Sequence, residues 1–112
     1  MFKGRDVVDY LADIAVAIDE VNEFTLGMSF ETFSNDKKTV NAVIRSLEVV
    51  GEASKHIPID FRDEHPEIPW KQMAGMRDVL IHDYMGVDLM TVWKVVRERL
   101  QELKPMIAAL HQ

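Results

Sequence analysis

The sequence contains no cysteine, so it can form neither a disulfide bond nor a thiolate metal site. It also lacks an apolar run of the roughly 18 residues that a membrane-spanning helix needs. The residues after Met1 lead into an acidic amphipathic stretch, not into the apolar core of a signal peptide. Together these absences predict a cytoplasmic protein with no membrane partner.

Positive charge is scarce in the first third of the chain. The net charge is −6, and residues 1–35 hold seven acids against only Lys3 and Arg5. The remaining residues are nearly balanced, with twelve acids and eleven bases. Such a chain has no general attraction for a polyanion. Binding to a nucleic acid would therefore need a local cationic site, or a complex that supplies one.

No segment shows the strict alternation of polar and apolar residues that is typical of a strand. Apolar residues instead recur three and four positions apart, which predicts helices. This period predicts four main helices: residues 5–24, 36–57, 70–83 and 89–110. Phe30 and Phe33 predict a short extra helical turn between the first two, and Pro58 should end the second.

Prolines divide the second half of the chain. Pro58, Pro66 and Pro69 predict a connector with room for one helical turn, and Pro69 is well placed as the first residue of the third main helix. Pro105 lies within the last helix and should kink it or end its regular part. The expected fold is an all-α, up-and-down helical bundle of four main helices plus a short extra helix. It should form a single domain over residues 1–112, whose spare apolar surface favours a homodimer.

The stretch from residue 66 to residue 86 carries the most chemistry. It contains Arg77, four intervening residues, His82, one further residue and Tyr84. A histidine can move a proton near neutral pH, and an arginine can hold a phosphate with a bidentate fork. Together they suit phosphodiester cleavage by a neighbouring 2′-hydroxyl, which needs no metal. Five residues on an ideal helix correspond to about 140° between Arg77 and His82, so arginine's reach, the end of the helix or a two-fold partner must bring them together.

Each candidate residue also has a purely structural interpretation. Arg77 and His82 could be a surface charge and a satisfied polar group, and Lys94, Arg97 and Arg99 on the last helix could approach phosphate or simply form a solvated face. Gly51 within a helix suggests close packing, and the adjacent Glu52 either points into a possible cleft or forms a surface pair with His56. Trp70 and Trp93 favour core packing over base stacking. No other spacing supports a metal at Glu52 and His56, so we expect no metal and no cofactor.

These motifs resemble the HepT-like branch of the HEPN superfamily over nearly the whole chain, with no departure in the Arg-x4-His motif. The resemblance implies a dimeric, metal-independent ribonuclease with Arg77 and His82 as catalytic residues. Asp78 falls on the polar residue that often follows the arginine. The resemblance also implies a toxin with a minimal nucleotidyltransferase antitoxin, MntA, which transfers AMP to Tyr84. The three matching segments are residues 42–55, 66–70 and 76–84.

Three functions remain open at this point. The first is a ribonuclease toxin that acts on an RNA substrate in a cleft at the dimer axis. The second is a non-catalytic nucleotide- or substrate-binding partner subunit of a nucleotidyltransferase. The third is a structural helical adaptor, which would need neither Arg77 nor His82. A cleavage assay separates the first from the second, and a neighbouring nucleotidyltransferase gene would support a toxin–antitoxin pair.

Overall fold

The computed structural model describes the backbone of residues 6–82 and 88–110 and the side chains of residues 6–76 and 88–110. Within these residues all regular secondary structure is helical, which confirms the predicted fold class. A π-helical turn, Val95–Arg99, joins the last two helices into one rod. The helices in chain order are α1 Val7–Phe24, α2 Phe30–Ser34, α3 Lys37–Lys55, α4 Ile59–Glu64, α5 Trp70–His82, α6 Leu89–Lys94 and α7 Leu100–Leu110.

Side-chain caps fix where the two longest helices begin. The Asp6 carboxylate accepts the backbone N–H of Asp9, and the Asp9 carboxylate accepts that of Asp6, so α1 starts with a reciprocal capping box. Asp36 caps α3 by accepting the backbone N–H of Thr39 at 3.1 Å. This hydrogen bond holds the pKa of Asp36 below its ordinary value, because it stabilises the ionised carboxylate. The predicted starts of both helices are thereby confirmed to within two residues.

Helix α3 lies at the centre of the bundle, since it packs against α1 on one side and α5 on the other. Helix α7 packs against α1, and a groove separates it from α5. Gly51 is buried on α3, in agreement with the close packing predicted from the sequence. The interior is one apolar cluster to which every long helix contributes. Its largest fully buried side chains include Leu11, Ile14, Ile18, Phe33, Leu47, Ile57, Met73, Leu100 and Ile107.

The last helical rod departs from the expectation for Pro105. Its α-helical pattern is interrupted earlier, at the π turn, where the Leu100 N–H donates to the carbonyl of Val95 five residues back. Pro105 lies inside α7, which continues to Leu110. The alternative that Pro105 ends the regular part of the helix is therefore wrong, and a kink at Pro105 stays a prediction. Proline removes a single backbone donor, and the remaining hydrogen bonds hold the helix together past it.

We expect Leu47→Ala to lower the free energy of unfolding by about 2–5 kcal/mol, because it leaves a cavity at the centre of the bundle. Leu47 is 2% exposed on α3. Leu26→Ala is the matched control, because Leu26 is 82% exposed in the turn after α1 and should change stability by less than about 0.5 kcal/mol. Chemical denaturation measures both. Equal effects of the two substitutions would contradict the assignment of the core.

Candidate active site and its surroundings

Helix α5 carries the predicted motif, and its first half is firmly anchored. Pro69 stands at its start, and its carbonyl accepts the N–H of Met73 at 3.0 Å. Met73 is fully buried and Trp70 is 6% exposed, so both side chains pack into the core. The Trp70 indole N–H also donates to the carbonyl of His65 at 3.0 Å. These contacts confirm Trp70 as a core residue and fix the direction in which α5 leaves the connector.

Arg77, Asp78 and His82 all lie on α5, as the sequence predicted. Their side chains lie outside the described part of the structure, and Tyr84 lies outside it altogether. The helical backbone nevertheless gives their register. Arg77 and His82 are five residues apart, which corresponds to about 7.5 Å along the axis and about 140° around it. A single straight helix therefore does not present both residues on one narrow stripe.

The structure places Glu52 on the α1 side of α3. It lines a groove between these helices together with Tyr10, Asp13 and Arg45. Its Oε1 lies 3.5 Å from Nε2 of His56 at the protein surface, which confirms the predicted surface pair. The described side chains include no group of three or more histidines and acids that could hold a metal ion. Glu52 thus has a structural partner, and its predicted role in a cleft stays a prediction.

Two of the histidines form aromatic contacts that the sequence did not indicate. Tyr10 and His56 stack with ring centroids 4.9 Å apart and an interplanar angle of 10°, which joins the start of α1 to the end of α3. The ring centroids of His65 and Phe61 lie 4.6 Å apart. The Tyr10–His56 pair joins two different helices, so no spacing within one helix could have indicated it. Phe61 and His65 are four residues apart at the end of α4.

The cations predicted near the end of the chain divide into different roles. The Arg97 guanidinium donates to the carbonyls of Met28 at 2.7 Å and Thr25 at 3.2 Å, and it lies 4.4 Å from the ring centroid of Trp93. Arg97 therefore ties the last helical rod to the turn after α1, and it is already engaged by protein groups. Lys94 is exposed on α6. Its exposure agrees with a solvated helix face, which was one of the two interpretations that the sequence left open.

A shallow groove at the N-terminal end of α5 brings two further cations together. Arg62 from α4 and Lys71 from α5 both line it, and the carboxylate of Asp63 shares the same groove. The Arg62 Nε is buried without a hydrogen-bond partner among the described residues. The sequence alone did not indicate this pair, because eight residues, two of them prolines, separate the two cations along the chain.

No helix in the described part of the chain combines the length and the hydropathy of a membrane span. An all-helical bundle with an Arg-x4-His motif on α5 has the architecture of the HEPN class. The family model described as "Ribonuclease HepT-like" matches residues 14–110, which include the whole motif. The chain belongs to this HepT-like ribonuclease family.

Relatives from several organisms support the same assignment. The chain is 59% identical to the "Probable ribonuclease HepT" of Thermococcus cleftensis, over 89% of this chain and 91% of the relative. It is 49% identical to a protein of Methanocaldococcus jannaschii with a provisional name as an RNase, over 89% and 86% of the two chains. A protein of Caldanaerobacter subterraneus with a similar provisional name is 40% identical over 92% of each chain. No solved structure matches the chain at a significant level.

Proposed function

We propose that this protein is a metal-independent endoribonuclease whose catalytic residues are Arg77 and His82. The observation that carries the proposal is that the HepT-like family model spans both residues and that α5 holds them in one helix. Ribonuclease names among the relatives support the reaction class. The motif supports the residue assignment, because an adaptor or a purely structural bundle would require neither a proton carrier nor a phosphate ligand at these positions.

The proposed reaction uses the RNA's own 2′-hydroxyl as the nucleophile. His82 accepts the proton of this hydroxyl while its oxygen attacks the adjacent phosphorus. The bond from phosphorus to the 5′-oxygen breaks, and that oxygen takes up a proton as it leaves. The products are a 2′,3′-cyclic phosphate and a 5′-hydroxyl. Arg77 stabilises the negative charge that builds on the phosphate oxygens. Asp78, the residue that follows Arg77, has a supporting role in the active site.

We propose that the active form is a homodimer. The separation of about 140° between Arg77 and His82 on α5 supports this, because a second copy across a two-fold axis would bring another arginine and another histidine into one cleft. Two histidines would also supply both the base that deprotonates the nucleophile and the acid that protonates the leaving oxygen. The limited size of the core is a second argument, since a chain of 112 residues gains stability by burying apolar surface between copies.

His82→Ala should lower the rate of RNA cleavage by about 10²–10⁴-fold, because it removes the proton carrier. Arg77→Ala should lower the rate comparably, because it removes the charge that stabilises the transition state. Cleavage of a fluorogenic RNA measures both, and circular dichroism checks that the helices are intact. A chelator should leave the wild-type rate unchanged.

Two results would reject this mechanism. The first is full activity in the His82→Ala variant. The second is a loss of activity with chelator that a divalent metal reverses. If purified wild-type protein binds RNA or nucleotides but cleaves neither, the second candidate function, a binding subunit of a nucleotidyltransferase, replaces the first.

We further propose that the protein is the toxin of a toxin–antitoxin pair and that AMP transfer to Tyr84 silences it. A minimal nucleotidyltransferase of the MntA type would be the antitoxin and the enzyme that transfers the AMP. Tyr84 is two residues beyond His82 in the chain, so an adenylate on its hydroxyl would lie close to the catalytic residues. The negative phosphate of the adenylate would occupy Arg77 in place of the substrate phosphate and repel the incoming strand.

Tyr84→Phe should abolish the modification and leave RNA cleavage active, because it keeps the ring and removes the hydroxyl that accepts AMP. Intact mass measured after co-expression with the nucleotidyltransferase should show one or more AMP residues on the wild-type protein and none on the variant. Tyr10→Phe is the matched control, because it alters the chain's other tyrosine and should still gain AMP. Modification that persists in Tyr84→Phe, or a modified wild-type protein that cleaves RNA at full rate, would remove Tyr84 from this role.

A further inference from the structure

The groove between α4 and α5 offers a cationic site at the end of α5 away from His82. Its lining includes the guanidinium of Arg62 and the ammonium group of Lys71, beside the amide of Gln72. Neither Arg62 nor Lys71 forms an ion pair with any residue that the structure describes. Asp63 is the one carboxylate among the described lining residues, so the groove itself carries a net positive charge.

One of the residues that line this groove has a buried polar atom without a partner among the described residues. The Nε of Arg62 is buried and has no hydrogen-bond acceptor among the described residues. A buried donor without an acceptor costs free energy, and such a group in a folded protein calls for an explanation. An anion in the groove would give the guanidinium of Arg62 a charged acceptor. The N-terminal end of α5 adds to the attraction, because the helix dipole is positive there.

We propose that this groove binds a backbone phosphate of the RNA substrate, several nucleotides away from the bond that is cut. The inference rests on the proposed ribonuclease function and extends its substrate-binding surface along α5. A chain of net charge −6 needs a local cationic site to hold RNA, and this groove would supply one. Arg62 and Lys71 would be binding residues, while Arg77 and His82 perform the chemistry.

The geometry of α5 sets the distance between the two sites. Lys71 precedes Arg77 by six residues and His82 by eleven, which corresponds to about 9 and 17 Å along the helix axis. At about 3.4 Å for each stacked nucleotide of a single strand, these distances equal about three to five nucleotides. The groove should therefore matter for an RNA oligomer and have no effect on a dinucleotide.

The experiment compares Lys71→Gln and Arg62→Gln with the wild-type protein on a single-stranded RNA of about ten nucleotides. Each variant should raise KM by about three- to tenfold and leave kcat unchanged, because a remote phosphate contact holds substrate without touching the reacting atoms. Each should also reduce the slope of log KM against log salt by about one between about 50 and 200 mM salt. Cleavage of a dinucleotide should be unaffected.

Matched controls remove the same charges elsewhere. The first control is Lys94→Gln on α6. The second is Arg45→Gln on α3, where Nη1 of the arginine lies 3.8 Å from Oε1 of Glu48. Both should leave KM for the oligomer close to the wild-type value. Lys71 is exposed, so Lys71→Gln should fold normally even if the half-buried position of Arg62 does not tolerate glutamine.

The outcomes separate this proposal from the function on which it rests. If the oligomer is cleaved and KM and the salt slope are unchanged in both variants, the groove is not an RNA site and the ribonuclease assignment stands. If wild-type protein cleaves no RNA but its RNA affinity, measured by fluorescence anisotropy, still falls in Lys71→Gln, the catalytic assignment fails and the groove stands. If the variants alter only the binding of a protein partner, the phosphate proposal is overturned.

Discussion

The packing of the first half of α5 against the core is the contact on which the rest of this account depends. Trp70 and Met73 are buried, and the Trp70 indole is hydrogen-bonded to the connector, so the start of α5 has a fixed position in the bundle. The same helix then carries Arg77 and His82 at its far end. Any loosening of this anchor would move the proposed catalytic residues relative to the remaining bundle. In the proposed mechanism, core stability and catalysis are therefore coupled through one helix.

The distribution of charge imposes a second constraint. Residues 6–36 contain no lysine, arginine or histidine, so the outer surface of α1 repels a polyanion. Arg97, although basic, is held by two backbone carbonyls and the ring of Trp93. Among the exposed cations that the structure describes, Lys71 is the one that lies on the motif helix itself. An RNA that reaches the proposed site would approach along α5 and away from α1, and its binding should weaken with salt.

Much of this fold follows from the sequence, and the exceptions have physical causes. Apolar spacing and prolines predicted every long helix, the short α2 and the turn that became α4, because these signals are local. The position of Arg77, Asp78 and His82 on a helix was predicted for the same reason. The π turn was not predicted, because it is a shift in the backbone hydrogen-bond register that no particular residue type marks in the sequence. The Arg97 contacts join groups 69 and 72 residues apart, and the groove of Arg62 and Lys71 depends on how α4 meets α5. Such tertiary contacts have no period that a sequence can display.

The chemical identity of the ends produced from RNA tests the central claim most directly. Attack by the 2′-hydroxyl predicts a 2′,3′-cyclic phosphate on one fragment and a 5′-hydroxyl on the other, with no cleavage where the nucleotide 5′ of the cut carries a 2′-deoxyribose. Mass spectrometry of the fragments from a defined oligomer identifies both ends. Fragments with 5′-phosphates, or efficient cleavage at a 2′-deoxyribose, would show that water or a metal-bound hydroxide is the nucleophile and would contradict the account.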